Sequence, residues 1–516
     1  MSEKLLKSTG TVSGMTFFSR VLGFIRDMVI AQLFGATAGL DAFLVAFKIP
    51  NFMRRLFAEG AFSQAFVPVL SETISLKSKD EVKTLVDRVG GSLFLVLLMI
   101  TILGCLGSPY FIMIFAPGFQ QNPAQFELAT TLLRWTFPYL LLISLTAFLS
   151  GIQNSYHRFA IPALTPILLN LSMIGAALYL TEWASTPVLA LAWGVLIGGI
   201  AQFMFQLLPV HRLELLPIPK VGFFDPEVKR ILKLMVPALI GASVMQINLL
   251  IDTVFASFLP AGSLTWLYYS DRLLEFPVGM LGVALATVVL PYLSKQAALK
   301  SQQGFSACID WALRLVLVLG VPCLIGLVLL AKPILSTLFQ YGRFEANDVL
   351  LTSQSLIAFS SGLVAILAVK ICVSAFFAKQ DTKFPLKVAL VAIVCNIVFN
   401  AILIGPLKHA GLALASTISQ FCQWFLLLYV LIKHRHYVPH AGWGMYLSRL
   451  GLASLLMGMF LVWFTPATDL WLESAASWRA MQLSVLVLGA MVVYGATLWG
   501  IGLRVSHFKM TAVQEL

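Results

Sequence analysis

Residues 90–115 read GGSLFLVLLMITILGCLGSPYFIMIF and contain no charged side chain. About 20 consecutive apolar residues are enough for a helix to cross a bilayer, so this stretch predicts a transmembrane helix. The whole chain has the same character: of its 516 residues, 59% are hydrophobic and only 11% are charged. A soluble domain carries about 25% charged residues. The composition therefore excludes a soluble enzyme, a disordered chain, a disulfide scaffold and a nucleic-acid-binding domain.

We predict an all-α, polytopic membrane protein with about fourteen transmembrane helices, because backbone groups in lipid must be hydrogen-bonded within the chain. The predicted spans, numbered 1 to 14, are residues 12–36, 41–68, 90–115, 128–151, 162–181, 187–209, 233–258, 266–293, 310–331, 348–377, 385–405, 410–432, 443–465 and 482–503. Charged residues interrupt span 1 and no small-residue cleavage site follows it. We therefore interpret it as a retained span rather than a signal peptide.

The lysines and arginines of the loops predict the orientation. If both termini are cytoplasmic, 21 of the 35 basic residues fall in cytoplasmic segments, and four fall on the opposite side, namely Lys332, Arg343, Lys408 and Arg479. This is the asymmetry of the positive-inside rule. It accounts for much of the net charge of +12 without a nucleic-acid partner. The six cysteines have no metal-binding spacing, and they predict neither a disulfide nor a zinc site.

An internal repeat with an offset of 223 residues divides the chain into similar halves. FVPVLSE at 66–72 matches VLPYLSK at 289–295, and Pro162 matches Pro385. Ala190-Leu191-Ala192 likewise matches Ala413-Leu414-Ala415. An even number of spans per half makes the repeat parallel rather than inverted. We predict a six-helix lobe at 1–210, a basic linker at 211–232, a second six-helix lobe at 233–437, and spans 13 and 14 with a tail at 438–516.

Charged residues within spans 1, 2 and 8 are the strongest functional signal. An ionised side chain at the bilayer centre costs about 2.5–3.5 kcal/mol, so such residues tend to face water or the bundle interior. The candidate residues for substrate binding are Arg20, Arg26, Asp27, Asp41, Arg54, Arg55, Glu59, Asp271, Arg272 and Glu275. Lys48 lies at heptad spacing between Asp41 and Arg55.

Arginine is the residue best suited to bidentate binding of phosphate. The arginine excess in these spans therefore indicates an anionic substrate, with a phosphate or a diphosphate as a good candidate. The alternative is that the same residues form structural ion pairs. Two similar lobes with charges inside the membrane favour a transporter over a scaffold or a receptor. We find no motif of a membrane-bound glycosyltransferase or phosphatase, so we predict that the protein is not an enzyme.

A second polar group is a candidate site for a coupling ion. Asp252 lies in the middle of span 7, while Asn396 and Asn400 share one face of span 11, and Ser416 and Thr417 lie in span 12. A carboxylate with amide and hydroxyl oxygens suits a hard cation such as sodium. The same groups could equally hydrogen-bond to one another across helices.

Five sequence segments resemble the MurJ/MviN family of the MOP exporter superfamily. They are SRVLGFIRD at 19–27, DAFLVAFKIPN at 41–51, RRLFAEGAFSQAFVPVL at 54–70, YYSDRLLEFPVGMLGVALATVVLP at 268–291 and GPLKHAGLALA at 405–415. The family flips lipid II, the undecaprenyl-diphosphate-linked disaccharide pentapeptide of peptidoglycan synthesis. The resemblance extends over essentially the whole chain.

This resemblance implies two V-shaped lobes around a basic cavity, alternating access, and a location in the bacterial inner membrane. By their positions in the shared motifs, the cavity arginines of the family match Arg20, Arg26, Arg54 and Arg272. It implies lipid II and membrane lipids as partners and leaves open contacts with other cell-wall synthesis proteins. No cofactor is expected beyond a coupling ion. Asn400 stands where sodium-binding members have an acid, so sodium, a proton and the membrane potential all remain candidate drivers. A flippase for another polyprenyl-diphosphate glycan and a cation-coupled drug antiporter are the alternatives.

Overall fold

The computed structural model describes the backbone of residues 3–55 and 62–503 and, outside short stretches of three helices, their side chains. These residues form nineteen α-helices and no strand, so the predicted all-α class is confirmed. The first ten helices are α1 Glu3–Phe34, α2 Ala38–Arg54, α3 Ser63–Leu76, α4 Lys79–Leu106, α5 Ser108–Phe115, α6 Pro123–Thr136, α7 Tyr139–Ser155, α8 Ala160–Tyr179, α9 Leu189–His211 and α10 Pro226–Ala256. The others are α11 Ser263–Ala298, α12 Gln302–Leu329, α13 Ala331–Leu338, α14 Ala346–Ser360, α15 Leu363–Ala378, α16 Lys383–Lys433, α17 Trp443–Phe464, α18 Thr468–Glu473 and α19 Ala476–Gly500.

The helix boundaries confirm the repeat over nearly the whole of both halves. Adding 223 to the bounds of α4 and α5 gives the bounds of α12 and α13. The same shift takes the start of α8 to the start of α16. Even a cap is repeated: Ser78 Oγ accepts a hydrogen bond from Glu81 N, and Ser301 Oγ accepts one from Gly304 N. A side-chain oxygen at this position satisfies a backbone N–H that the first turn leaves without a partner.

Each of the fourteen predicted spans overlaps one helix or two consecutive helices. Among the described residues, nine helical segments are long and apolar enough to cross a membrane, or ten with the bent α11. One of the nine is α16, whose 51 residues would extend about 75 Å at 1.5 Å per residue. Its backbone breaks at Lys408, with φ of 49°, so it contains two predicted spans. Helix α1 contains Arg20, Arg26 and Asp27, and α2 is short, with 17 residues. Fourteen crossings therefore stay a prediction.

The chain divides into two compact units, residues 1–265 and 266–516. This is a different division from the predicted lobes, because α10, predicted to open the second lobe, packs against α3, α4 and α5 of the first unit. The predicted domain boundaries follow the sequence repeat and stay a prediction. In the first unit, α8 packs on α1 and α9, and α2 packs on α6.

Ion pairs tie the linker after α9 to α3 and α4 in the first unit. Lys79 pairs with Glu214, Arg88 with Asp225, and Lys77 Nζ lies 3.0 Å from Glu227 Oε1. The hydrogen bond and charge of Glu227 raise the pKa of Lys77. Water and salt screen such exposed pairs, so this face is polar and well paired without being a major source of stability.

In the second unit, a buried carboxylate on α12 organises the approach to α17. Asp310 Oδ1 accepts hydrogen bonds from Tyr437 OH at 2.8 Å and from Trp443 Nε1 at 2.7 Å. Arg314 Nε lies 2.8 Å from Asp310 Oδ2, and its guanidinium covers the Trp443 ring. One acid thus joins α12 to the loop before α17, and α17 in turn packs on α19.

We expect Asp310→Ala to lower the free energy of unfolding by about 1–3 kcal/mol, because it leaves the half-buried Arg314 and the donors of Tyr437 and Trp443 without their acceptor. Thermal unfolding of the purified protein in detergent measures the loss. The exposed Glu473→Ala serves as the matched control and should stay within about 0.5 kcal/mol of the unsubstituted protein. Equal melting temperatures for the two variants would contradict this role of Asp310.

Candidate functional site

Arg26 and Asp27 form a buried ion pair that joins α1 to α8. Arg26 Nη2 lies 2.6 Å from Asp27 Oδ1, and Arg26 Nη1 donates to Asn170 Oδ1 at 3.1 Å. Asn170 Nδ2 in turn donates to Ser19 O at 3.3 Å. Arg26 is 9% exposed and Asp27 is 1% exposed. The pair therefore neutralises both charges inside the first unit. A phosphate could reach Arg26 only by displacing contacts that already hold the guanidinium.

Arg20 lies on the same helix in a different environment. Its side chain is exposed, six residues before the buried Arg26. Seven residues make nearly two helical turns, so Arg20 and Asp27 lie on similar faces of α1, yet Asp27 is buried with Arg26 while Arg20 is exposed. An exposed guanidinium on an apolar helix is available to an incoming anion, which is what a phosphate-binding role requires.

Asp41 at the start of α2 is buried, and both of its carboxylate oxygens accept hydrogen bonds. Its Oδ1 accepts hydrogen bonds from Thr265 N at 2.8 Å and Thr265 Oγ1 at 2.7 Å, and its Oδ2 accepts one from Gly262 N at 2.7 Å. Gly262 has φ of 94°, a backbone conformation that favours glycine. Asp41 thus holds the turn between α10 and α11 against α2, a role that the heptad spacing did not predict.

The other candidate residues of α2 form polar contacts with α10 or within α2 itself. Lys48 Nζ donates to Thr253 Oγ1 of α10 at 2.6 Å. At the end of α2, Arg54 Nε donates to Asn51 Oδ1 at 2.8 Å, and Arg55 forms the C-terminal cap. Both arginines are half-buried. Glu59, another candidate for substrate binding, lies outside the described residues.

In the second unit, Arg272 forms a weak exposed pair on α11. Arg272 Nη1 lies 3.0 Å from Glu275 Oε2, and the two side chains are 29% and 50% exposed. Pairs of this kind are worth about 0–1 kcal/mol, so Arg272 can exchange its carboxylate for a stronger anion. Asp271 is half-buried beside it. Lys370 lies in a predicted span, but we did not include it among the candidate residues. Its Nζ lies close to Gly282 of α11, the helix that carries Arg272: a Cβ added to Gly282 would be 2.8 Å from Lys370 Nζ.

The polar groups of spans 11 and 12 hydrogen-bond to one another. Asn400 Nδ2 donates to Asn396 Oδ1 at 3.1 Å, and Asn396 Nδ2 donates to Ser416 Oγ at 3.1 Å. Thr417 Oγ1 donates to Ala358 O at 2.8 Å, so it faces α14. For these residues the sequence allowed two alternatives, a sodium site or hydrogen bonds between helices. The observed contacts correspond to the second alternative. Asp252 is half-buried on α10 in the other unit. Within the described residues, no cluster of three His, Cys, Asp or Glu side chains could hold a metal.

Comparison with known proteins gives one consistent family. The family described as "Lipid II flippase MurJ" matches residues 30–480. The "Probable lipid II flippase MurJ" of Vibrio cholerae is 43% identical, covering 99% of this chain and 98% of its own. The "Lipid II flippase MurJ" of Burkholderia cenocepacia is 38% identical, covering 98% and 99%.

Two solved structures are similar in fold. "Lipid II flippase MurJ, inward closed conformation" matches with a TM-score of 0.79 and 28% identity, covering 95% of this chain and 99% of that one. An inward-facing multidrug resistance MATE family transporter of the MOP superfamily matches with a TM-score of 0.66 and 14% identity, covering 81% and 94%. The second likeness concerns the fold alone.

We expect Asp41→Asn to lower the free energy of unfolding by about 2–4 kcal/mol, because the amide removes a charge-assisted acceptor and brings a donor against backbone N–H groups. Thermal unfolding in detergent gives the change, with the exposed Glu182→Gln as control. Transport per folded molecule should stay unchanged if Asp41 only holds the turn. A variant with normal stability and lost transport would instead place Asp41 in substrate binding.

Proposed function

The chain belongs to the MurJ lipid II flippase family, and on that premise we propose that it moves lipid II from the cytoplasmic to the outer leaflet of the bacterial inner membrane. The observation that carries the proposal is the match to named lipid II flippases over nearly the full length of both chains. The names of these relatives give lipid II as their substrate. The protein is a transporter and not an enzyme, and its fold is that of the MOP superfamily.

We further propose that exposed arginines bind the diphosphate of lipid II. Arg20 of the first unit is exposed, and Arg272 of the second unit pairs with the exposed carboxylate of Glu275. Arg54 and Arg55 are half-buried at the end of α2. Arg26 contributes differently, because it holds α1 against α8 through Asp27 and Asn170. Directional movement then requires that the protein bind the head group with different affinity in its two states.

Both termini, in this proposal, lie in the cytoplasm. The support is the strong excess of lysine and arginine in the loops that this orientation places inside. The linker between α9 and α10, with its ion pairs to α4, is then a cytoplasmic element.

The arginine proposal predicts a graded loss of transport. Arg20→Ala and Arg272→Ala should each reduce lipid II at the outer leaflet by roughly tenfold or more, because each removes a charge-assisted contact to phosphate. Arg20→Lys should retain part of the activity, since lysine keeps the charge but not the planar fork. The assay measures lipid II that a periplasmic probe can reach in cells depleted of their own flippase.

The control for this series is Arg343→Ala, which removes an exposed loop arginine and should transport normally at equal membrane levels. Normal transport by both Arg20→Ala and Arg272→Ala would show that these arginines do not hold the substrate. Failure of the unsubstituted chain to restore lipid II exposure would remove lipid II as its substrate and favour another polyprenyl-diphosphate glycan.

For energy coupling we propose Asp252 as the residue that takes up a sodium ion or a proton. It lies near the C-terminal end of α10, and its neighbour Thr253 accepts a hydrogen bond from Lys48. Asp252→Ala should transport with a weaker dependence on external sodium or pH than the unsubstituted protein, because the titratable and cation-binding group is gone. Reconstituted vesicles with imposed sodium or proton gradients provide the measurement, with Asp252→Glu as the conservative control. An unchanged gradient dependence in Asp252→Ala would show that Asp252 does not take up the coupling ion.

A further inference from the structure

A cleft in the first unit lies apart from the charged residues of α1 and α2. It has a volume of about 790 Å³ and is bordered by α7, α8 and α9, within the range of roughly 300–1,000 Å³ that small-molecule pockets occupy. Its walls are mostly apolar and include Leu168, Ala201 and Leu208. On α9, Met204 is 54% exposed and Leu208 is 58% exposed. An exposed apolar surface on a transmembrane helix faces lipid, so the cleft opens to the bilayer.

The rim of this cleft is basic. His157 and Arg158 follow α7, and Arg212 follows α9. The backbone N–H of Arg158 donates to Gln153 O at 2.9 Å, which turns the chain back over the end of α7. No acid lines the cleft. Among the described residues, neither arginine has an ion-pair partner, whereas the lysines of the nearby linker face are paired with glutamates.

A buried amide adds a second polar feature. Gln153 lines the cleft and is fully buried. Its Nε2 donates to Gln206 Oε1, and Gln206 Nε2 donates to Thr165 Oγ1 at 2.6 Å. Within the described residues, Gln153 Oε1 accepts no hydrogen bond. A buried amide oxygen normally has a donor, and a ligand hydroxyl group at the polar end of the cleft would supply one.

The internal repeat shows that the fold does not require this cleft. The residues 223 positions after Ala201, Gln153 and Ile161 are Trp424, Phe376 and Phe384. Phe376 is buried, its ring lies 5.1 Å from that of Phe384, and both pack with Trp424 in the core of the second unit. The second half fills these positions with aromatic rings. The first half places a small residue, an amide and an aliphatic side chain there.

We propose that the cleft bordered by α7, α8 and α9 binds one anionic phospholipid, with Arg158 and Arg212 holding its phosphodiester and the apolar walls holding its acyl chains. The rim lies on the side that the proposed orientation makes cytoplasmic. Anionic lipids give the cytoplasmic leaflet a negative surface potential, and basic pockets between helices on that side bind anionic head groups. The site is distinct from the arginines proposed for lipid II and would make the bound lipid a part of the first unit.

Native mass spectrometry of the purified full chain tests the proposal by titration with phosphatidylglycerol and phosphatidylethanolamine. We expect the unsubstituted protein to prefer phosphatidylglycerol. The double variant Arg158→Gln and Arg212→Gln should lose this preference, by roughly fivefold for each arginine removed. Ala201→Trp should lower the binding of both lipids, because it places in the cleft the residue that the second half has there.

Two matched variants control for indirect effects. Arg435→Gln alters the residue 223 positions after Arg212, and Leu171→Trp adds an indole at an exposed position of α8 outside the cleft. Both should bind phosphatidylglycerol as the unsubstituted protein does. If Ala201→Trp does not fold, the arginine variant decides the matter alone.

The proposal is overturned if the arginine variant keeps the full preference for phosphatidylglycerol, or if a folded Ala201→Trp keeps full occupancy. It is also overturned if equimolar undecaprenyl diphosphate displaces the phospholipid from the unsubstituted protein but not from the arginine variant, because the cleft would then be a substrate site. The assay involves no transport step, so its outcome is independent of the flippase proposal.

Discussion

The energetic cost of placing an ionised group in an apolar environment governs most of this structure. A carboxylate or guanidinium removed from water is retained only when a partner of opposite charge or several hydrogen bonds compensate it. In the first unit, Arg26 meets Asp27 and Asn170, and Asp41 accepts three hydrogen bonds from one turn. In the second unit, Asp310 accepts hydrogen bonds from two aromatic side chains and pairs with Arg314. These groups fix helix positions because each would be unfavourable without its neighbours.

The same constraint separates structural charges from those available to a substrate. Buried charges such as Asp27 and Asp41 are already held by Arg26 and by three hydrogen bonds respectively, and releasing them would cost several kcal/mol. Arg20 remains exposed, and Arg272 is held by a weak surface pair. A flippase needs groups that bind a diphosphate and then release it. Accessible arginines meet that need better than arginines already committed to the packing of two helices.

The two halves show how one helical framework can be used in different ways. The ends of α4 and α5 recur 223 residues later, even to a serine cap. Side chains on that framework have diverged: Trp424, Phe376 and Phe384 occupy positions where the first half has Ala201, Gln153 and Ile161. Substitution of a few side chains on a shared backbone is enough to leave a cleft on one unit and to fill the equivalent positions on the other.

The sequence by itself determined the all-α membrane class, the repeat and the candidate residues, because apolar length, spacing and charge are local properties of the chain. Tertiary structure decided what each charge does. Adjacent residues on a helix point in different directions. Arg26 nevertheless pairs with Asp27 and also donates to Asn170, 144 residues away. Asp41 finds its donors more than 220 residues along the chain. Likewise, α10 packs against α3, α4 and α5, which come much earlier in the chain. Partners so distant in sequence leave no periodic signal, since only the packing of whole helices brings them together.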